Sequence, residues 1–221
     1  MIKQLIDSHF SKHYNLGRVV TIDETHTSDD RFDLMDDGGV SVVEFGCGFA
    51  SFDNDAKQDI AILNYEVYID KFAGTQFHNG RRKCDCILES ETGLTVILEE
   101  ITSSRSGLEN LRKAIYDKME FPGGKFEKAE QQLLVSLQTL CEIPEIAQHF
   151  ASQLKRVCLC SYKLFTSKDM ELIGNPVVAF SRGQAEAERQ AGENGVKISS
   201  PQIEALGFEY RRISHSFVYC I

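Results

Sequence analysis

Apolar residues at Ile2, Leu5, Ile6 and Phe10 recur at spacings of three and four, which predicts a surface helix from Ile2 to about His13. From Asp23 to Gly39 acids and turn formers dominate, and an exposed loop is expected there. "VSVVEFGCGFASF" reads as a strand interrupted at Gly46 and Gly48, and "DIAILNYEVYIDKF", Asp59 to Phe72, as the longest strand. A hairpin follows, with arms near 83–89 and 94–102. The period then lengthens to a helical one. Leu108, Leu111, Ile115 and Met119 mark a helix that stops at "FPGG", and Phe126, Ala129, Leu133, Leu137 and Leu140 mark the next. Pro144 suits the first turn of a third helix, reaching about Leu154. "RVCLCSYKLF" and "PVVAF" read as strands, and "SRGQAEAERQAGENG" as a helix ending near a glycine. "SSPQIEALG" reads as a short capped helix and "FEYRRISHSFVYCI" as a last strand. Without repeats or a linker, the expectation is one mixed α/β domain over residues 1–221, a central mixed sheet with a hairpin meander flanked by helices.

The hairpin "CDCILESETGLTVILEEIT" breaks its own pattern, because Asp85, Glu99 and Glu100 lie inside apolar arms. A two-residue turn at Glu91-Thr92, or a four-residue turn over Ser90–Gly93, sets Ile87 opposite Val96, Asp85 opposite Leu98 and Lys83 opposite Glu100. Asp85, Ile87, Val96, Leu98 and Glu100 then share a face, with a diagonal step of roughly 7–8 Å between the two acids. A three-residue turn would pair Asp85 with Glu99 instead. Two carboxylates on an apolar face repel each other and resist desolvation unless a cation intervenes, and Mg²⁺ takes such oxygen ligands. The plain reading is a solvated face, or acids neutralised by Lys83 and Arg81.

Composition narrows the class. The 221 residues are 42% apolar and 26% charged, ordinary for a globular domain, with no run long enough to span a membrane. "MIKQLIDSHFSKHY" lacks the apolar core of a signal peptide, so a cytoplasmic location without membrane contact is expected. A net charge of −9 opposes free-standing nucleic-acid binding. Basic residues form only short clusters: Arg81-Arg82-Lys83, Lys125 with Lys128, and Arg211-Arg212. Contact with a polyanion needs a local patch, metal ions or a basic protein partner.

Other motifs carry less. The pairs Cys84/Cys86 and Cys158/Cys160 would converge on zinc only if their strands were neighbours; buried small hydrophobes are the usual outcome. "DLMDDGGVSVVE" imitates a calcium loop but has Met35 at a ligand position and no helical flanks. "FPGGKFEK" lacks the spacing of a phosphate-binding loop. His9 and His13 are one helical turn apart, which more often makes a wet face than a metal site.

The hairpin, the helices after it and the strand "RVCLCSYKLF" resemble the PD-(D/E)XK, or restriction-endonuclease-like, nuclease family over about residues 60–165. The resemblance implies a core of helix, three-stranded meander, helix and strand. It matches Asp85 to the motif's Asp and Glu100-Ile101-Thr102 to its triplet, with Thr102 where the family has lysine. It implies phosphodiester hydrolysis of nucleic acid, with Asp85 and Glu100 as ligands of Mg²⁺ or Mn²⁺. The cationic role falls to a displaced lysine, Lys83 beside Glu100 or Lys128 of the following helix, with Lys125 nearby. Loss of the motif lysine equally suits an inactive scaffold that docks a basic protein.

Overall fold

The computed structural model describes residues 1–90, 92–102, 120–121, 124–162 and 194–221. The predicted helix around 108–119, the strand "PVVAF" and most of the helix "SRGQAEAERQAGENG" lie outside the described residues. The chain is mixed α/β. Among the described residues, eleven strands form a seven-stranded sheet in the order β1 (Glu24–Thr27), β5 (Ile60–Leu63), β6 (Cys86–Ser90), β7 (Thr95–Thr102), β8 (Lys155–Tyr162), β10 (Glu209–Ser214), β9 (Val196–Ile198), and a four-stranded sheet in the order β11 (Val218–Cys220), β4 (Ala50–Asp53), β2 (Arg31–Asp36), β3 (Val40–Val43).

Helix α1 runs from Ile2–Leu5 through a π-helical stretch, Ile6–Phe10, to Ser11–His13. Its fully buried Ile2, Ile6 and Phe10 are spaced by four. Such residues drift around an α-helix, and the wider π turn keeps them in line.

The acidic stretch after it forms strands, contrary to expectation: β1 (Glu24–Thr27) and β2 (Arg31–Asp36). Phe32 and Leu34 of β2 point into a core and carry the strand. β2 pairs antiparallel with β3 (Val40–Val43) and β4 (Ala50–Asp53), so the calcium-loop imitation is a hairpin. Its Asp33 accepts the N–H groups of Gly46 and Gly48 at 2.9 and 2.8 Å. A Cβ on Gly48 would meet the Leu34 carbonyl at 2.6 Å, which explains the glycine.

The predicted long strand splits. β5 (Ile60–Leu63) ends at Asn64, and Tyr65–Asp70 is helix α2. The Asn64 side chain takes both polar groups of the Val40 backbone, and its N–H goes to the Asp23 carbonyl. The chain therefore leaves the sheet, and Tyr65, Tyr68, Ile69 and Phe72 pack inward at helical spacing.

β5, β6 (Cys86–Ser90) and β7 (Thr95–Thr102) form an antiparallel meander. Helix α3 (Lys125–Cys141) and helix α4 (Pro144–Ser152) lead to β8 (Lys155–Tyr162), parallel to β7. β9 (Val196–Ile198), helix α5 (Pro201–Ala205) and β10 (Glu209–Ser214) follow, with β10 parallel to β8. The predicted last strand divides at 215–217, where the Phe217 N–H reaches the Ser214 carbonyl. Its second part, β11 (Val218–Cys220), joins the small sheet beside β4.

The large sheet is the middle layer. One face carries Leu63, Ile87, Val96, Leu98, Cys158 and Cys160 against α1, α2, α3 and α4. The other packs Ile60, Ile62, Leu88, Ile97 and Leu159 against Phe32, Leu34, Phe52 and Tyr219 of the small sheet.

Candidate functional site

Asp85 lies one residue before β6, where three elements fix the chain. Helix α3 presents a polar stripe to the segment that precedes it. The Gln132 side chain donates to the Lys83 carbonyl at 3.0 Å, Ser136 Oγ accepts the Cys84 N–H at 2.7 Å, and Thr139 Oγ1 takes Arg81 at 2.8 Å. Residues 132, 136 and 139 fall on one side of a helix, so a single face holds the whole segment. The first turn of α2 contributes the Glu66 N–H, 3.1 Å from the Asp85 carbonyl. From β7, the Glu99 carbonyl accepts the Asp85 N–H at 3.1 Å and the Ile101 N–H donates to Asp85 Oδ2 at 2.6 Å.

The hairpin register differs from the predicted one by two residues. Ile87 pairs with Leu98, Cys86 with Glu99 and Ser90 with Thr95. Ser90 Oγ accepts the Gly93 N–H, Leu94 sits at φ 48°, and the Leu94 carbonyl takes the N–H groups of Leu154 and Lys155. Leu94 is thereby tied to the start of β8 and lies outside the ladder. A shift of two preserves side-chain parity, so Asp85 and Glu100 remain on the helix-covered face with Ile87, Val96 and Leu98. Glu99 faces the other way, between the two sheets.

Both acids are 6% exposed. Burial pushes the Asp85 carboxyl well above the ordinary range; the Ile101 N–H opposes this, and the charges of Asp36 and Glu66 add to it. Burial likewise raises Glu100, followed by the charges of Asp85 and Glu66, against the pull of Lys128. Glu66 is itself raised by burial, with Lys83 opposing and Asp36 adding. Asp36 belongs to β2 and Glu66 to α2, where the sequence predicts a loop and a strand.

The lysines separate in role. Lys83 Nζ binds Asp70 and stands 3.7 Å from Glu66 Oε1, so it is held by α2 and is not beside Glu100 as the predicted register had it. Its charge still reaches Asp85. Lys128, in the first turn of α3, is the cation that acts on Glu100. Lys125 begins the same helix.

The donors fit a hard divalent cation of the Mg²⁺ or Mn²⁺ kind. Glu100 Oε2 is buried and has no hydrogen-bond partner among the described residues, and the charge of Asp85 raises its pKa. Orphaned buried oxygens of this kind are costly unless protonated or bound to a cation. No group of three or more His, Cys, Asp or Glu side chains able to hold a metal occurs among the described residues. Asp85 and Glu100 would offer a cation two carboxylates, with the rest of its coordination left to water or phosphate oxygens.

The zinc alternative fails on topology. β7 lies between the strands carrying the two cysteine pairs, and Cys84 and Cys86 fall in different cores. Burial raises all four thiols, which behave as small hydrophobes. His9 faces Glu145 at 3.5 Å.

None of the helices among the described residues is long and apolar enough to cross a membrane. Comparison with protein-family models, curated proteins and solved structures found no match to this chain.

Proposed function

We propose that this protein is a metal-dependent hydrolase of nucleic-acid phosphodiester bonds, working with a protein partner. The observation that carries the reading is the buried Glu100 carboxylate beside Asp85, whose Oε2 has no hydrogen-bond partner among the described residues, on a strand pair pinned by hydrogen bonds. The order of elements also favours it: the meander β5-β6-β7, then α3, then β8 parallel to β7, is the order expected of a restriction-endonuclease-like core. Asp85 and Glu100 would hold Mg²⁺ or Mn²⁺, which when bound would supply a Lewis acid and a water of lowered pKa. Lys128 stands in for the lysine replaced by Thr102 and neutralises charge developing on the phosphoryl oxygens. Lys83 restrains the acids of α2 and shares its charge with Asp85. The net charge of −9 argues that a basic partner brings the polyanion to the site.

The test is cleavage of single- and double-stranded DNA and RNA by the purified chain, with Mg²⁺, with Mn²⁺ and with chelator. Cleavage that needs the metal and disappears in both Asp85→Asn and Glu100→Gln supports the reading. Metal-independent cleavage, or cleavage that survives either substitution, would sink it.

A second reading is favoured by Thr102 and by the capture of Lys83 by Asp70. In it the scaffold is inactive, and the acids Asp36, Glu66 and Asp70 dock a basic protein. It expects a salt-sensitive complex whose affinity is unchanged by Asp85→Asn and Glu100→Gln.

A further inference from the structure

Glu66 and Asp70 are one helical turn apart on α2, on the side turned from Tyr65, Tyr68 and Ile69, which pack inward. The Lys83 ammonium meets this acid pair from the segment before β6. It binds Asp70 Oδ1 and stands 3.7 Å from Glu66 Oε1. The same Asp70 oxygen lies 2.8 Å from His78 Nε2. His78 is set in turn by the loop after α2, where Thr75 Oγ1 donates to the Phe72 carbonyl and accepts the His78 N–H. On the reading that Asp85 and Glu100 hold a metal, we infer that Asp70 is a positioning residue: it holds the Lys83 ammonium off those acids and so leaves them open to a divalent cation.

Lys83, Glu66, Asp85 and Glu100 form one electrostatic unit. The Lys83 charge acts on Glu66 and Asp85, and the Glu66 charge acts on Asp85 and Glu100. The two acids of α2 differ as partners for the ammonium. Burial raises the Asp70 carboxyl, yet the hydrogen bonds from Lys83 and His78 outweigh it and hold the group below its ordinary range. Burial raises Glu66, and there Lys83 does not reverse the shift. Asp70 is therefore the more fully ionised of the pair and the stronger hold on Lys83.

Without the Asp70 carboxylate, the ion-pair partner left to Lys83 among the described residues is Glu66, whose own N–H is bonded to the Asp85 carbonyl. An ammonium on a flexible stem makes that move by rotating its last bonds. Lys83 would then serve the buried carboxylates as an internal counter-ion, and an incoming metal would have to displace it.

The test is a double-mutant cycle read by metal binding. Mn²⁺ alone is titrated calorimetrically into the full chain and into Asp70→Asn, Lys83→Gln and the variant carrying both. Asp70→Asn should weaken binding by about three- to tenfold, since it moves a cation toward the ligands. Lys83→Gln should change binding by about twofold or less in the wild type, and should restore it in the Asp70→Asn background. No loss in Asp70→Asn, a loss that persists in the double variant, or an equal gain from Lys83→Gln in both backgrounds overturns the inference. A second measurement needs no metal. In protein whose lysines carry ¹³C-methyl groups, the Lys83 signal should move in Asp70→Asn and hold its place in Asp85→Asn. The reverse would put the ammonium on Asp85 and overturn the inference. A wild type that binds no Mn²⁺ would remove the metal site itself, and the lysine spectra would still decide whether Asp70 holds Lys83.

Discussion

Asp85 is bonded to both peptide groups that flank Glu100. Its N–H reaches the Glu99 carbonyl and its carboxylate takes the Ile101 N–H. The two acids are held together by backbone and cannot relieve their repulsion by a change of rotamer at Asp85 alone. This is the arrangement expected where a cation, or a shared proton, is the intended third party.

Substitutions at the two positions should therefore differ in sign. Asp85→Ala strands the Ile101 N–H and should cost about 1–3 kcal/mol, whereas Asp85→Asn keeps an acceptor and costs less. Glu100→Gln removes the buried like charge and should raise the metal-free melting temperature. Thermal melts in chelator read both effects, and a loss of stability in Glu100→Gln would contradict the electrostatic account.

The pH dependence follows from three raised carboxyls, Asp85, Glu99 and Glu100. Where folded values lie above unfolded ones, the folded state binds more protons. Stability is then fully present below the ordinary carboxylate range and falls as pH rises through the raised values. Metal-free melts between about pH 4 and pH 8 should decline with pH, and Glu100→Gln should flatten the decline.

Magnesium should invert that slope. Deprotonated carboxylates bind the ion, so the rise in melting temperature on adding Mg²⁺ should grow with pH. Asp85→Asn and Glu100→Gln should each abolish the rise. A shift of equal size at acid and neutral pH would point to binding elsewhere.

Glu99 is the control that the strand itself provides. It is 0% exposed, both its oxygens lack hydrogen-bond partners, and it faces the inter-sheet core, with Ser161 the polar group that eases its charge. Burial raises its pKa, so Glu99→Gln should stabilise the fold at neutral pH and leave metal-dependent cleavage intact. Activity assays beside melts separate the two acids that neighbour each other in sequence.

The shared face of Asp85 and Glu100 was legible because strand parity survives a two-residue error in register. The missing information was tertiary: Leu94 is claimed by the start of β8, which no local turn preference reveals. Tyr65, Tyr68, Ile69 and Phe72 did carry a helical period, but β-branched and aromatic content hid it, and Glu66 was lost with it. Asp36 was hidden because the acids around β2 outweigh its buried Phe32 and Leu34 in any composition-based reading. Helix α3 was clear from Ala129, Leu133, Leu137 and Leu140. Its polar stripe, which holds Asp85 in place, has no meaning until the segment it binds is known.

The two lysines give the sharpest test of the proposed catalysis. Lys128 acts on Glu100, while Lys83 is committed to Asp70 and Glu66. If Lys128 meets the reacting phosphate, Lys128→Gln should lower kcat by about 10²–10³, the usual loss when one preorganised donor is removed. Because that interaction forms chiefly in the transition state, KM should change little. Lys83→Gln releases acids that are partly exposed, so it should shift stability by about 1 kcal/mol or less and leave kcat within a few fold. Steady-state kinetics on both variants decide the matter. A large kcat loss in Lys83→Gln with Lys128→Gln unaffected would move the cationic role from α3 to the segment before β6.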